Sequence, residues 1–324
     1  MSGPVTLDDM RTSVGVGVMC GLGAGALWGL VFLMPAWLAD WSPLELAAGR
    51  YGAYGLIALA LMLPRWRHLA ARLQRSDVRA LLRHALSGNI VYYVLLALGV
   101  KLAGVAPTSL IIGLLPVTVT IAGSREHGAL PLRRLAAPLG LVALGIACIN
   151  VDVFAQAPLG GITPAGRLLG LLCAVGALLC WTWYAVDNAR FLKRTPRFSS
   201  AEWSALYGMA SGTLALPIGV ALWLIASGSA SPPRDWQTFL LANAALALLA
   251  SVIGNHLWNI ASRRVPVTLS GQLILFETLF ALLYGFLYQQ RWPRPLEMAA
   301  MVLLVIGVAW AVRAHRPPTP LVPE

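Results

Sequence analysis

Residues 14–38 read VGVGVMCGLGAGALWGLVFLMPAWL, an apolar run without one charged side chain. A helix needs about 20 mostly apolar residues to cross a bilayer core, so this run is long enough to span. Nine comparable runs follow, at 44–63, 84–103, 107–123, 132–151, 168–189, 202–226, 237–261, 268–288 and 296–313. They raise the hydrophobic content to 58% of 324 residues, leave 11% charged, and give a mean hydropathy of +0.72. A water-soluble domain does not carry that balance. The chain reads as an all-α polytopic membrane protein with ten transmembrane helices.

The loops orient it. Lys and Arg concentrate on the cytoplasmic side of a membrane protein. One set of connections holds Arg11, the six arginines of 64–83, Arg125, Arg133, Arg134, the basic residues of 190–201, Arg263, Arg264, Arg313 and Arg316; the other holds Lys101, Arg234, Arg291 and Arg294. Eighteen basic residues against four place both termini in the cytoplasm. The same loops supply most of the net charge of +11, as anchors beside anionic lipid; no nucleic-acid partner is implied. Segment 64–83 reads as a basic amphipathic stretch along the inner surface. Asp8 and Asp9 stand where a signal peptide would be basic. Cys20, Cys148, Cys173 and Cys180 lie inside the runs without a CxxC spacing and read as small apolar packing residues, implying neither metal nor disulfide.

Ten runs divide five and five, and an odd number per half makes the halves cross in opposite senses. The expected division is a first five-helix repeat at 14–151, a periplasmic linker at 152–166 without Lys or Arg, a second repeat at 167–313 and a Pro-rich disordered tail at 314–324. Gly25-Ala26-Leu27-Trp28 is similar to Gly176-Ala177-Leu178-Leu179-Cys180-Trp181, and Lys101 to Pro116 parallels Arg263 to Thr278. Inverted repeats are a transporter architecture with the site near the midplane.

Trp28 in a Gly-rich first run, Arg50 in the second, the short hairpin 101–106, Pro116 in the fourth and the Leu-rich stretch ending at Glu277 resemble the drug/metabolite transporter superfamily, in its EamA-type ten-helix branch. Within it the chain is most similar to the aromatic amino-acid exporters of the YddG type. Many members carry Glu-Pro where this chain has Glu277-Thr278, so no proline kink is carried over. The resemblance implies a bacterial cytoplasmic (inner) membrane location.

Several residues are candidates for the site. Ser251, Asn255, Asn259 and Ser262 form one helical stripe, with His256 and Trp258 beside it. Amides facing lipid cost free energy, so the stripe faces protein or water: either it glues helices or Asn255 and Asn259 line a cavity. His256 is a proton-linked group or a structural hydrogen bonder. Ser270, Glu277 and Tyr284 share a face of the ninth run, with Gln272 to one side. Glu277 lies near the middle of its run, where a carboxylate needs a substrate ammonium, a proton, or a pair with Arg50. Tyr92 and Tyr93 with Asn89, Trp181 and Tyr184 with Asn188, and Trp28 are mid-run aromatics that read either as the wall of a solute cavity or as core. Trp37, Trp41, Trp66, Trp236 and Trp292 sit at run edges and read as an interface belt. Gly17, Gly21, Gly25 and Gly29 share one face, for static packing or for sliding.

The function expected is transport of small organic metabolites, with export of amino acids, aromatic ones included, by alternating access. The alternatives are a multidrug or nucleotide-type metabolite carrier of the same fold. A channel would show filter motifs or rings of like charge, and an intramembrane enzyme would need a denser constellation than His256 and Glu277. No GxxxxGK[ST] occurs. No enzyme activity and no cofactor are implied; the partners are an amphipathic small-molecule substrate, membrane lipid and, through Glu277 or His256, a proton.

Overall fold

In the computed structural model, which describes residues 7–123, 131–154, 163–227, 234–288 and 290–314, the regular elements are helices. The first half holds α1 (Leu7–Gly29), α2 (Pro43–Met62), α3 (Arg75–Ala103), α4 (Val105–Ile112, then Leu115–Gly123) and α5 (Leu132–Phe154). The second holds α6 (Pro164–Arg194), α7 (Ser200–Ser227), α8 (Trp236–Arg264), α9 (Val267–Leu273, then Leu275–Tyr288) and α10 (Pro295–Ala314). Among the described residues seven stretches are long and apolar enough to cross a membrane: Ser13–Phe32, Pro43–Arg72, Arg75–Ala103, Pro164–Arg194, Ser200–Ile225, Trp236–Arg264 and Leu269–Tyr288. Of the ten expected, α4, α5 and α10 stand outside that set, and α4 is cut in two between Ile112 and Leu115.

Local chemistry moves some boundaries. The apolar run 14–38 is not one helix: α1 passes into a tight turn at Leu30–Phe32, and a separate short helix, Met34–Trp37, starts with Pro35 in its first turn. Segment 64–83 is not a surface strap. Trp66–Arg72 forms a short helix, but Arg75–His84 is the opening of α3, with Asp77, Ala80, Leu81 and His84 buried. Most of the linker, at 155–162, and the tail from 315 lie outside the described residues.

The two halves share their irregularities. Each third helix carries a wide turn in which the hydrogen bonds step by five residues, Ala85–Val91 in α3 and Ala247–Gly254 in α8. Each fourth helix is broken. The packing repeats as well: α1 lies on α8 and α9 as α6 lies on α3 and α4, while α2 packs on α7, α4 on α9 and α5 on α10. Glycine allows the closest crossings, as expected without a hydrophobic drive between helices in lipid. A Cβ on Gly25 would stand 2.6 Å from Phe276 Cβ and 2.8 Å from the Glu277 nitrogen. Gly55 and Gly212 face each other where α2 crosses α7, and a Cβ on either would stand 2.6 Å from the other's Cα. The glycine face of α1 is thus a packing face.

One device closes both ends. At the start of α2, Glu45 N donates to Ser42 Oγ (3.2 Å) and Ser42 N donates to Glu45 Oε2 (2.7 Å), a capping box. Ser199 and Glu202 repeat it before α7, at 3.1 and 2.8 Å. The remaining glutamate oxygen takes an arginine from the other half: Arg234 Nη1 donates to Glu45 Oε1 (2.8 Å), and Arg72 Nη2 donates to Glu202 Oε1. Each arginine also lies over the aromatic residue before the serine, Arg234 over Trp41 (5.0 Å) and Arg72 over Phe198 (5.5 Å). A base near the end of α3 or α8 then holds that residue's carbonyl: Lys101 Nζ to Trp41 O (2.5 Å), Arg263 Nη2 to Phe198 O (2.7 Å). Trp41 is therefore no belt residue; it is 3% exposed, whereas Trp37, Trp66, Trp236 and Trp292 are exposed.

Candidate solute-binding site

The wide turns shape the centre. Such turns loosen the helical hydrogen-bond ladder and recur at functional sites. In α8 the Ala250 carbonyl accepts the Trp28 indole Nε1 (2.9 Å), and a Cβ on Gly254 would stand 2.8 Å from that nitrogen. In α3 a Cβ on Gly88 would stand 2.5 Å from Tyr184 Cγ, so glycine lets the Tyr184 ring lie on the backbone. The adjacent Asn89 donates to Ser211 Oγ of α7 (2.7 Å).

Between these helices lies a cavity lined by Trp28, Val31, Arg50, Tyr51, Gly88, Asn89, Tyr92, Trp181, Tyr184, Tyr207, Asn255 and Glu277. Its free space is about 20 Å³, room for about one water molecule. Trp28 and Trp181, from the first helix of each half, meet edge to face at 5.7 Å. Tyr184 and Tyr207 stack at 5.4 Å. The centre is thus narrow, and each end carries its own set of contacts between the halves.

The charges are arranged unusually. Arg50 and Glu277 are 5% and 4% exposed and line the same cavity, yet no ion pair within 4 Å joins them. Arg50 Nε donates to Ser251 Oγ (3.1 Å), and the guanidinium lies over Tyr51 and Tyr93, at 4.9 and 5.1 Å. Glu277 Oε2 is buried without a hydrogen-bond partner. The direct pair weighed for these two residues is absent.

Of the residues expected at the site, Trp28, Asn89, Tyr92, Trp181, Tyr184, Asn255 and Glu277 come together around the cavity. Tyr93, His256, Asn259 and Tyr284 do not. Tyr93 is fully buried behind it, edge to face with Tyr51 (5.8 Å). Asn259 Oδ1 accepts from Asn188 Nδ2 (3.2 Å), and Asn188 Oδ1 accepts from Trp203 Nε1 (2.9 Å). His256 is half-buried beside the stripe, and Tyr284 donates to the Ala26 carbonyl of α1 (2.9 Å). Gln272 reaches Thr120 Oγ1 (2.8 Å), joining the two broken helices. Tyr51 and Tyr207 enter the lining without having been singled out in the sequence. A larger recess of about 160 Å³ lies between α2, α7 and α8, with Trp41, Trp223, Trp236 and Phe239 among its walls. Its one acid, Glu45, is already held by Ser42 and Arg234, so size does not make it the better candidate.

The profile of the EamA-like transporter family matches residues 15–151 and 168–313. The chain is 34% identical over 321 residues to Inner membrane protein YtfF of Escherichia coli (strain K12), spanning 94% of this chain and 97% of that protein. A crystal structure 23% identical in sequence shares the fold, with a TM-score of 0.68 over 91% of this chain and 96% of that one. The chain thus belongs to the EamA-like transporter family: it is a multi-pass membrane transporter of the drug/metabolite type, with one EamA unit in each half.

Proposed function

We propose that the protein exports amino acids, aromatic ones included, by alternating access through the central cavity. The observation that carries this reading is the cavity itself: an aromatic wall with one buried cation and one buried acid, at the crossing of the two halves. Aromatic faces suit an apolar or aromatic body, and separated opposite charges suit its polar head. A nucleotide-type carrier would need several cations for its phosphates, and among the described residues of the lining Arg50 is the one cation.

In this reading α4, α5 and α10 complete ten spans as two inverted repeats, at 14–151 and 167–313, joined by a periplasmic linker. The termini are cytoplasmic and the membrane is the bacterial inner membrane, as the name of the YtfF relative supports. A cysteine introduced near Arg79 should resist an impermeant maleimide in intact cells, and one introduced at 155–162 should react; the reverse pattern overturns the orientation. The function is tested by reconstituting the protein into liposomes with a panel of labelled amino acids, with and without a pH gradient. Saturable uptake of aromatic amino acids is expected. Uptake of no amino acid under either condition overturns the reading.

A further inference from the structure

A buried guanidinium and a buried carboxyl that share a cavity without pairing are each costly, because neither recovers in contacts what it loses in hydration. Around Arg50 the protein has built a cradle. Tyr51 and Tyr93 support the guanidinium, and Ser251 takes Nε alone. Among the described residues no oxygen accepts from the two terminal nitrogens, which is the fork that binds a carboxylate through two parallel hydrogen bonds. Glu277 is the complement. Its backbone is fixed by Gly25, which lets α1 lie directly on Phe276 and Glu277, while Oε2 is left without a partner. The Trp28 and Trp181 rings line the same cavity.

We propose that Arg50 and Glu277 divide the recognition of a zwitterion: Arg50 binds the α-carboxylate, Glu277 binds the α-ammonium, and the solute's side chain lies against Trp28 and Trp181. This rests on the amino-acid reading above and adds the group that each residue selects. It makes two independent selections, since removing either charge from the solute leaves one buried protein charge without its partner.

The experiment is competition against labelled L-phenylalanine bound to the purified full-length protein, using L-phenylalaninamide, which lacks the carboxylate, and 3-phenylpropionate, which lacks the ammonium. Each analogue should compete about tenfold or more weakly than phenylalanine. Arg50→Gln should erase the preference for phenylalanine over its amide and keep the preference over phenylpropionate; Glu277→Gln should do the opposite. A merely structural role for either residue would weaken all three ligands together, and that result overturns the assignment. Should a variant fail to fold, the unaltered protein still decides: equal competition by both analogues overturns the division of charges while leaving amino-acid binding standing. Absence of phenylalanine binding overturns the assignment, and the liposome panel separates that result from failure of the amino-acid reading as a whole. Arg50→Lys, which keeps the charge and loses the fork, should retain only part of the preference over the amide.

Discussion

Trp41-Ser42-Pro43-Leu44-Glu45 leads into α2, and Phe198-Ser199-Ser200-Ala201-Glu202 leads into α7. Each builds the same capping box, takes an arginine from the other half and has its aromatic carbonyl held by a base. Aligned on these boxes, Gly55 matches Gly212, and the two touch. The centre does not repeat. On the same alignment Arg50 falls opposite Tyr207, and on the alignment of Lys101 with Arg263, Glu277 falls opposite Leu115. The parts that hold the halves together obey the repeat, as the alternating access proposed above would require. The charged residues that line the cavity break it, as the zwitterion recognition proposed above would require.

The largest test of this contrast acts on the centre. Arg50→Gln or Glu277→Gln should slow phenylalanine transport by about thirtyfold or more, the effect of leaving one partner of a buried charge pair alone, about 2 kcal/mol or more. Moving the cation to its repeat-related position, Arg50→Tyr with Tyr207→Arg, should not restore the rate, because Glu277 stays where it is. Recovery in that double variant would show that the centre is as symmetric as the ends.

Asn255 and Asn259 lie four residues apart on α8, and only Asn255 meets the cavity. Asn255→Leu should reduce the transport rate with little change in melting temperature. Asn259→Leu should lower stability by about 1 kcal/mol, the scale of one interhelical hydrogen bond, with a smaller change in rate. Equal losses of rate in both variants would return Asn259 to the pathway.

The ends should respond in opposite directions. In a cysteine-free background carrying Asn89→Cys, Glu45→Gln should raise labelling from the side where α2 begins, and Glu202→Gln from the side where α7 begins. Partly exposed ion pairs contribute about 1 kcal/mol or less, so each shift should be a few-fold. Increased labelling from one common side in both variants would refute the mirrored latches. The smallest difference lies in salt. Asp77 pairs with Arg197 at the Glu202 end, where the equivalent position at the other end is Phe239 stacked on Trp41 (3.9 Å). Raising ionic strength should therefore loosen the Glu202 end more; equal loosening of both would deny the second ion pair its part.

Much of this architecture is legible in the sequence, because lipid forces long apolar runs and a carboxylate among them stands out. Glu277, the Trp28 and Trp181 correspondence and the burial of the Ser251–Ser262 stripe are of that kind. Periodicity fails where the helix is irregular. Ser251 lies in the wide turn Ala247–Gly254, whereas Asn255 and Asn259 lie in the regular helix beyond it, where Asn259, one turn past Asn255, accepts a hydrogen bond from Asn188. Ser270 lies before the break in α9 and Glu277 after it; Tyr284 shares the face of Glu277 but sits two turns further on, where its hydroxyl goes to Ala26. The capping boxes are written plainly as Ser-x-x-Glu, but counting Arg72 and Arg234 as topology charges hides their pairing with Glu202 and Glu45. Nothing in the spacing shows that Arg50 meets Ser251 instead of Glu277.

The most direct measurement is counterflow in proteoliposomes. Vesicles preloaded with unlabelled L-phenylalanine and diluted into labelled L-phenylalanine should accumulate label transiently above equilibrium. Vesicles preloaded with L-phenylalaninamide or 3-phenylpropionate should accumulate far less. Equal accumulation with all three preloads, or none with phenylalanine, would contradict an alternating-access carrier whose centre reads both ends of a zwitterion.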